Sequence, residues 1–206
     1  MADIRLAMVG DSLSAGVGDG VDTNDPTATV FSNAQPITNP NWITDANYYR
    51  PGGAWSDYGY LPKLVTRLNG AGHNASIASV CVMNGATSQQ AKDIGAGTIV
   101  SSANPKPTHT IIWLGTNDGV YNSPASQVNV GNVIMQVING NGGLVFCMTN
   151  NATCPTWVDA QNQILAPYNV PTYTGNQAWM QGHPNHAGYQ QIADGMYDSL
   201  HGKGWW

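Results

Sequence analysis

Residues 4–16 read IRLAMVGDSLSAG. A short apolar run that breaks at Gly10-Asp11-Ser12 has the form of a strand ending in a strand-to-helix turn. Ser12 in that turn is either a nucleophile or the small polar side chain that such a turn ordinarily carries. The choice depends on what the rest of the chain brings to the same edge of the sheet.

Similar runs recur along the chain. Strands are expected at about 4–9, 75–82 (ASIASVCV), 109–114 (HTIIWL), 144–149 (LVFCMT) and a short one near 169–174 (NVPTYT). Short segments rich in Val and Ile suit strands buried on both faces. Helical stripes lie between them. Leu61, Leu64, Val65 and Leu68 share a face, with Pro62 tolerated in a first turn, and Val130, Val133, Ile134, Val137 and Ile138 form another, closed by NGNGG with its left-handed capping positions. The last stripe is Tyr189, Ile192, Ala193, Met196 and Leu200, with Asn185 as N-cap. The alternation predicts an α/β fold in which helices cover both faces of a central parallel sheet of about five strands. One stretch, 18–55, is long, rich in Pro, Gly and Asn, and lacks periodicity. Its Trp42, Tyr48, Tyr49 and Trp55 point to an ordered insertion whose aromatics form a satellite core rather than a sugar-stacking surface.

At 206 residues the chain fits a single domain, 1–206, able to bury a core without staples. Only 9% of residues are charged, all 12 acidic residues are Asp, and the seven Lys and Arg are scattered, for a net charge of -5. Nucleic acid is not expected as a partner, because neutralising phosphates takes clustered cations. No run approaches the roughly 20 apolar residues of a membrane span. The opening MADIRLAMVG has neither the basic lead nor the cleavage site of a secretory signal. Sparse charge and an Asn/Gly/Thr-rich surface nonetheless favour a setting outside a cytoplasm, such as a cell or virion surface. Of the three cysteines, Cys147 and Cys154 flank a short loop and either pair or stay reduced, with Cys81 left over. No metal or cofactor is expected. Asp19, Asp22 and Asp25 offer oxygens at short spacing but miss the stricter pattern of a calcium loop.

The chemistry comes from an ordered set. After the second strand comes NGATS with Gly85, after the third GTND with Asn117, and before the last helix HPNHAGY with His183. Loops at the carboxyl ends of parallel strands share one edge, so these residues meet Ser12 there. A serine hydroxyl becomes nucleophilic when a base takes its proton, and histidine titrates near neutrality. His183 is assigned as that base ahead of His186. The oxyanion formed by attack needs preorganised donors, which the Asn117 amide and the backbone N–H groups of Ser12 and Gly85 would supply.

GDSLSAG, NGATS, GTND and HPNHAGY, in this order, resemble the four sequence blocks of the SGNH (GDSL) hydrolase family. The resemblance runs from residue 10 to 189, interrupted mainly by the insertion. It implies a three-layer α/β/α flavodoxin-like fold and hydrolysis of esters or thioesters through an acyl-enzyme. By position it makes Ser12 the nucleophile, Gly85 and Asn117 oxyanion donors and His183 the base. No G-x-S-x-G elbow, the mark of the other large α/β hydrolase class, occurs.

One position departs from that pattern. Members of the family usually carry Asp three residues before the histidine, and here Met180 stands there. A methionine neither orients an imidazole nor stabilises an imidazolium. Three outcomes stay open: a Ser-His dyad steadied by a backbone carbonyl, which is favoured; an acid from elsewhere, with Asp22, Asp25, Asp45 and Asp57 as donors; or a weakened enzyme. The expected substrate is a short-chain ester, either a small molecule or an acetylated carbohydrate. The alternative is a catalytically impaired module that binds a ligand or carbohydrate.

Overall fold

Asp3–Gly10 forms the first strand, β1, and its side chains alternate between two cores. Ile4, Leu6 and Met8 enter one cluster, Ala7 and Val9 the other, so a period-2 strand that is apolar on both faces is buried on both faces. The computed structural model describes residues 3–19, 41–119, 123–149, 159, 162–163, 165–168, 170, 172–174 and 183–206. The other strands are β2 (Asn74–Val82), β3 (His109–Trp113), β4 (Leu144–Thr149) and β5 (Thr172–Thr174). They pair in parallel in the order β2-β1-β3-β4-β5. This is the expected five-stranded sheet.

An irregularity in the β1–β2 pairing has a packing consequence. Leu6 pairs with Ile77 and Ala7 with Ser79, which leaves Ala78 as an extra residue on β2. The bulge lets Ile77 and Val80, three positions apart, face the same core.

The α-helices that pack around the sheet include α1 (Ser12–Ala15), α2 (Tyr60–Gly70), α3 (Ser88–Ile94), α4 (Ala96–Ser101), α5 (Pro124–Asn139) and α6 (His186–His201). α2 and α6 pack together over one face of the sheet, and α3, α4 and α5 cover the other, giving three α/β/α layers. The expected stripes on α2 and α6 are buried, and Pro62 lies in the first turn of α2. On α5, Val130, Val133, Ile134 and Val137 are buried, but Ile138 is 46% exposed. Ile138 lies eight positions after Val130, at the margin of the stripe, where the helix surface turns to water. NGNGG ends α5 as expected, but its left-handed positions fall beyond the capping residue. Gly140 has φ −79°, and the left-handed positions are Asn141 (φ 56°) and Gly143 (φ 80°).

Most of the described part of the insertion is built into the molecule. Ile43 forms an antiparallel bridge to Val82, Tyr49 is buried with its hydroxyl donating to the Ala15 carbonyl (3.1 Å), and Trp55 packs on the first core. Tyr48 stacks on Trp55 with ring centroids 4.3 Å apart, its outer side exposed. The C-terminal Trp205 and Trp206 close on His109. Cys81 and Cys147 are free, buried thiols whose pKa values burial pushes up. Cys154, Asp22 and Asp25 lie outside the described residues. Among those residues no helix is long and apolar enough to cross a membrane.

Candidate active site

The chain leaves β1 for β2 on one side and returns to β3 on the other, so the strand order reverses at β1. A crevice outside the carboxyl ends of β1 and β3 follows from that reversal. Ser12 stands two residues after β1 and Asn117 four residues after β3. Gly10 marks the exit from β1. A Cβ there would lie 2.0 Å from Ser14 Oγ and 2.9 Å from the Trp113 carbonyl, so only glycine lets the turn fold this tightly against β3.

Asp11 caps the single turn of α1, its Oδ1 accepting from the Leu13 backbone N–H at 2.9 Å. Gly16 closes the turn with φ 87°, in the left-handed region. Ser12 is thereby the first residue of a fixed turn. Across 171 residues of sequence, His183 Nε2 lies 2.6 Å from Ser12 Oγ. That contact places the nucleophile and base expected from the sequence within hydrogen-bonding reach. Burial disfavours the charged imidazolium and lowers the His183 pKa below its ordinary value.

The segment carrying His183 is fixed from its far side. Asn185 is fully buried, and its Oδ1 accepts from Gly188 N–H at 2.9 Å to cap α6. Pro184 between them removes one backbone freedom.

Gly85 has φ 72°, and a Cβ at this position would meet nothing within 4 Å. The glycine is therefore required by its backbone conformation, and it faces open space. Asn117 Nδ2 donates to the Ala86 carbonyl at 3.0 Å and to Asp11 Oδ2 at 3.3 Å, which joins the loops after β1, β2 and β3. Asp118 reinforces the same junction, accepting from Ser88 N–H at 2.7 Å and from Ser88 Oγ at 2.5 Å.

Two participants went unnoticed in the sequence. Asp118 sits inside GTND, and its signal was the Thr87-x-x-Gln90 capping box of α3, which marks Ser88 as a helix start with a free N–H. Asp11 had no such signal. It is entirely buried, and desolvation pushes its pKa up to about 7 against the donors around it. His186, the rival base, is held elsewhere, with Nδ1 2.8 Å from Asp19 Oδ1. Of the other aspartates considered as triad acids, Asp45 caps the one-turn helix Ala46–Tyr48 and Asp57 lies beside Lys63. Met180 lies outside the described residues.

A family model described as GDSL-like lipase/acylhydrolase matches residues 6–169. No match to a curated protein sequence was found. Among solved structures, a family 3 carbohydrate esterase from Clostridium thermocellum superposes with a TM-score of 0.60 at 17% identity, over 96% of this chain and 94% of that one. A member of the lipolytic G-D-S-L family from Veillonella parvula gives 0.59 at 13% identity, over 95% and 97%. A third, a carbohydrate esterase whose active site displays divergent catalytic and non-catalytic binding functions, gives 0.58 at 12%, over 96% of this chain and 68% of that one. At such identities the likeness is one of fold.

Proposed function

We propose that this chain, which belongs to the GDSL-like lipase/acylhydrolase family, is a single-domain serine hydrolase of short-chain carboxylic esters. The observation that carries this reading is the 2.6 Å approach of His183 Nε2 to Ser12 Oγ. Neutral His183 accepts the Ser12 proton as Oγ attacks the ester carbonyl carbon. The tetrahedral oxyanion collapses, the C–O bond to the alcohol breaks, and His183 returns its proton to the leaving oxygen. An acyl group then remains on Ser12. Water, deprotonated by the same imidazole, attacks the acyl carbon; the bond to Ser12 Oγ then breaks, His183 returns the proton to Oγ, and the acid leaves.

Donors for the oxyanion come from the three loops at the crevice: the Ser12 and Gly85 backbone N–H groups and the Asn117 amide. The Ala86 carbonyl occupies one N–H of that amide. The longer contact to Asp11 is the one an oxyanion would compete for. The catalytic pair is read as a Ser-His dyad steadied by a backbone carbonyl, in keeping with methionine at position 180. Small-molecule and carbohydrate acetyl esters are the proposed substrates, and the fold shared with carbohydrate esterases supports the second class. Neither nucleic acid nor a membrane span enters this reading.

Initial rates on p-nitrophenyl acetate and on acetylated xylan test it. Wild type should turn over at least one of them, and Ser12→Ala and His183→Ala should each lose roughly a thousandfold or more. Unchanged turnover in Ser12→Ala would refute the reading. Met180 favours one second reading, an impaired module that binds a carbohydrate ester. It predicts saturable binding of the acetylated polymer with no release of acetate.

A further inference from the structure

We infer that Asp19 and His186 form a latch that positions His183 against Ser12; this inference rests on the catalytic roles proposed for that pair. Asp19 lies in the turn that follows α1, seven residues beyond Ser12, and its carboxylate is 1% exposed. Both oxygens are engaged. Oδ2 accepts from Gly59 N–H at 2.6 Å and from Lys63 Nζ at 3.0 Å, which ties it to the start of α2. Oδ1 meets His186 Nδ1 at 2.8 Å, which ties it to the first residue of α6. Three segments distant in sequence thus converge on one carboxylate. Two of them carry the reacting pair.

The division of labour between the oxygens matters. Lys63, itself buried, also donates to the Asp57 carbonyl and lies 3.4 Å from Asp57 Oδ1, so the Asp19–Lys63–Asp57 side holds without His186. Of Asp19's own bonds the Oδ1 bond alone reaches α6, beside a second tie from that helix to the same turn, the Tyr189 hydroxyl donating to the Val17 carbonyl at 3.0 Å. His186 is three residues after His183, with Pro184 and the capping Asn185 between them, so little slack separates the latch from the base. The bond requires the proton on His186 Nδ1, since an ionised carboxylate only accepts. His186 Nε2 lies 4.0 Å from Asp57 Oδ2 at the surface. Removing the latch leaves the fold anchored by Lys63 and α6 tied by Tyr189 and the Asn185 cap, but it frees the His186 side chain that fixes the first turn of α6 beside His183. A misplacement of about 1 Å in a reacting geometry costs on the order of a hundredfold in rate.

His186→Ala deletes the latch, and His186→Asn retains an N–H donor where Nδ1 stood. Steady-state rates on p-nitrophenyl acetate should show kcat lowered about ten- to a hundredfold in His186→Ala with KM within about twofold. His186→Asn should recover to within about threefold of wild type in kcat. Thermal unfolding of both variants is measured alongside. Wild-type kcat in His186→Ala, or equal loss in both variants at equal stability, would overturn the inference. A second readout separates it from the catalytic reading. In 15N–1H long-range spectra the His183 ring signals should shift or broaden in His186→Ala and return in His186→Asn. If wild type turns over no ester but the ring responds in this way, the catalytic reading falls and the latch stands. A His183 ring indifferent to both variants overturns the latch whatever the activity.

Discussion

Asn117 joins two tasks in one side chain, because the amide that knits the loops is the amide proposed to meet the oxyanion. Asn117→Ala should therefore lower kcat by about a hundred- to a thousandfold, the usual cost of one oxyanion donor. The change should fall on kcat more than on KM, which steady-state kinetics on an acetyl ester would resolve. His183 sets the pH dependence. Burial disfavours its protonated form, so the neutral base persists below the ordinary imidazole value of 6.5. The acid limb of kcat/KM should accordingly have its midpoint below pH 6.5 in free enzyme; a midpoint well above it would mean that the limb belongs to another group. Ser12, Gly85, Asn117 and His183 were legible as a set because each sits in a short block after a strand or before a helix. Asp11 and Asp19 were not, since their meaning lies in what burial places beside them.

Elements were legible where a single periodicity ruled. β1 to β4 are near-continuous apolar runs, and α2 and α6 carry clean stripes, so the pattern alone located them. α3 and α4 went unassigned because their buried residues are mostly Ala, Gly and Ser, with little apolar contrast to read. They pack by closeness instead. A Cβ on Gly97 in α4 would lie 2.4 Å from the Val133 carbonyl and 2.7 Å from Gln136 Cβ on α5, so the two helices cross where glycine permits. Gly97→Ala should destabilise the protein by about 1–3 kcal/mol, read as a lowered midpoint in urea unfolding. A neutral result would mean that the crossing relaxes at no cost. The cap on α6 makes a milder case. Asn185→Ala should lose about 1 kcal/mol, and because the cap adjoins His183 its kcat should fall as well.

Across the whole molecule, an α/β/α frame of two apolar cores brings four distant blocks to one sheet edge, and a buried charge pair clamps the frame beside them. Lys63 and Asp19 are each about 1% exposed in their side chains and 3.0 Å apart. Lys63→Met should cost about 3–5 kcal/mol, since it strands a buried carboxylate. Burial already raises the Asp19 pKa, and removing the lysine raises it further. A carboxyl with a raised folded pKa contributes stability below its unfolded value of 3.8 and loses it as pH rises through the folded value. The deficit of Lys63→Met should thus be largest at alkaline pH and shrink as pH falls toward the unfolded value of 3.8, as chemical denaturation across that range would show. Such clamps are invisible to sequence reading, because a lone Lys in an amphipathic helix ordinarily reads as solvated. The long insertion resisted for a similar reason, its aromatics having no period until Tyr49 and Trp55 met the core. The central claim is that this frame makes Ser12 a nucleophile. Its most direct test is peptide mapping after reaction with a serine-directed fluorophosphonate. One adduct per chain on the peptide bearing Ser12, strongly reduced in His183→Ala, is the predicted result. An unmodified Ser12, or labelling of Ser12 that proceeds equally fast without His183, would contradict it.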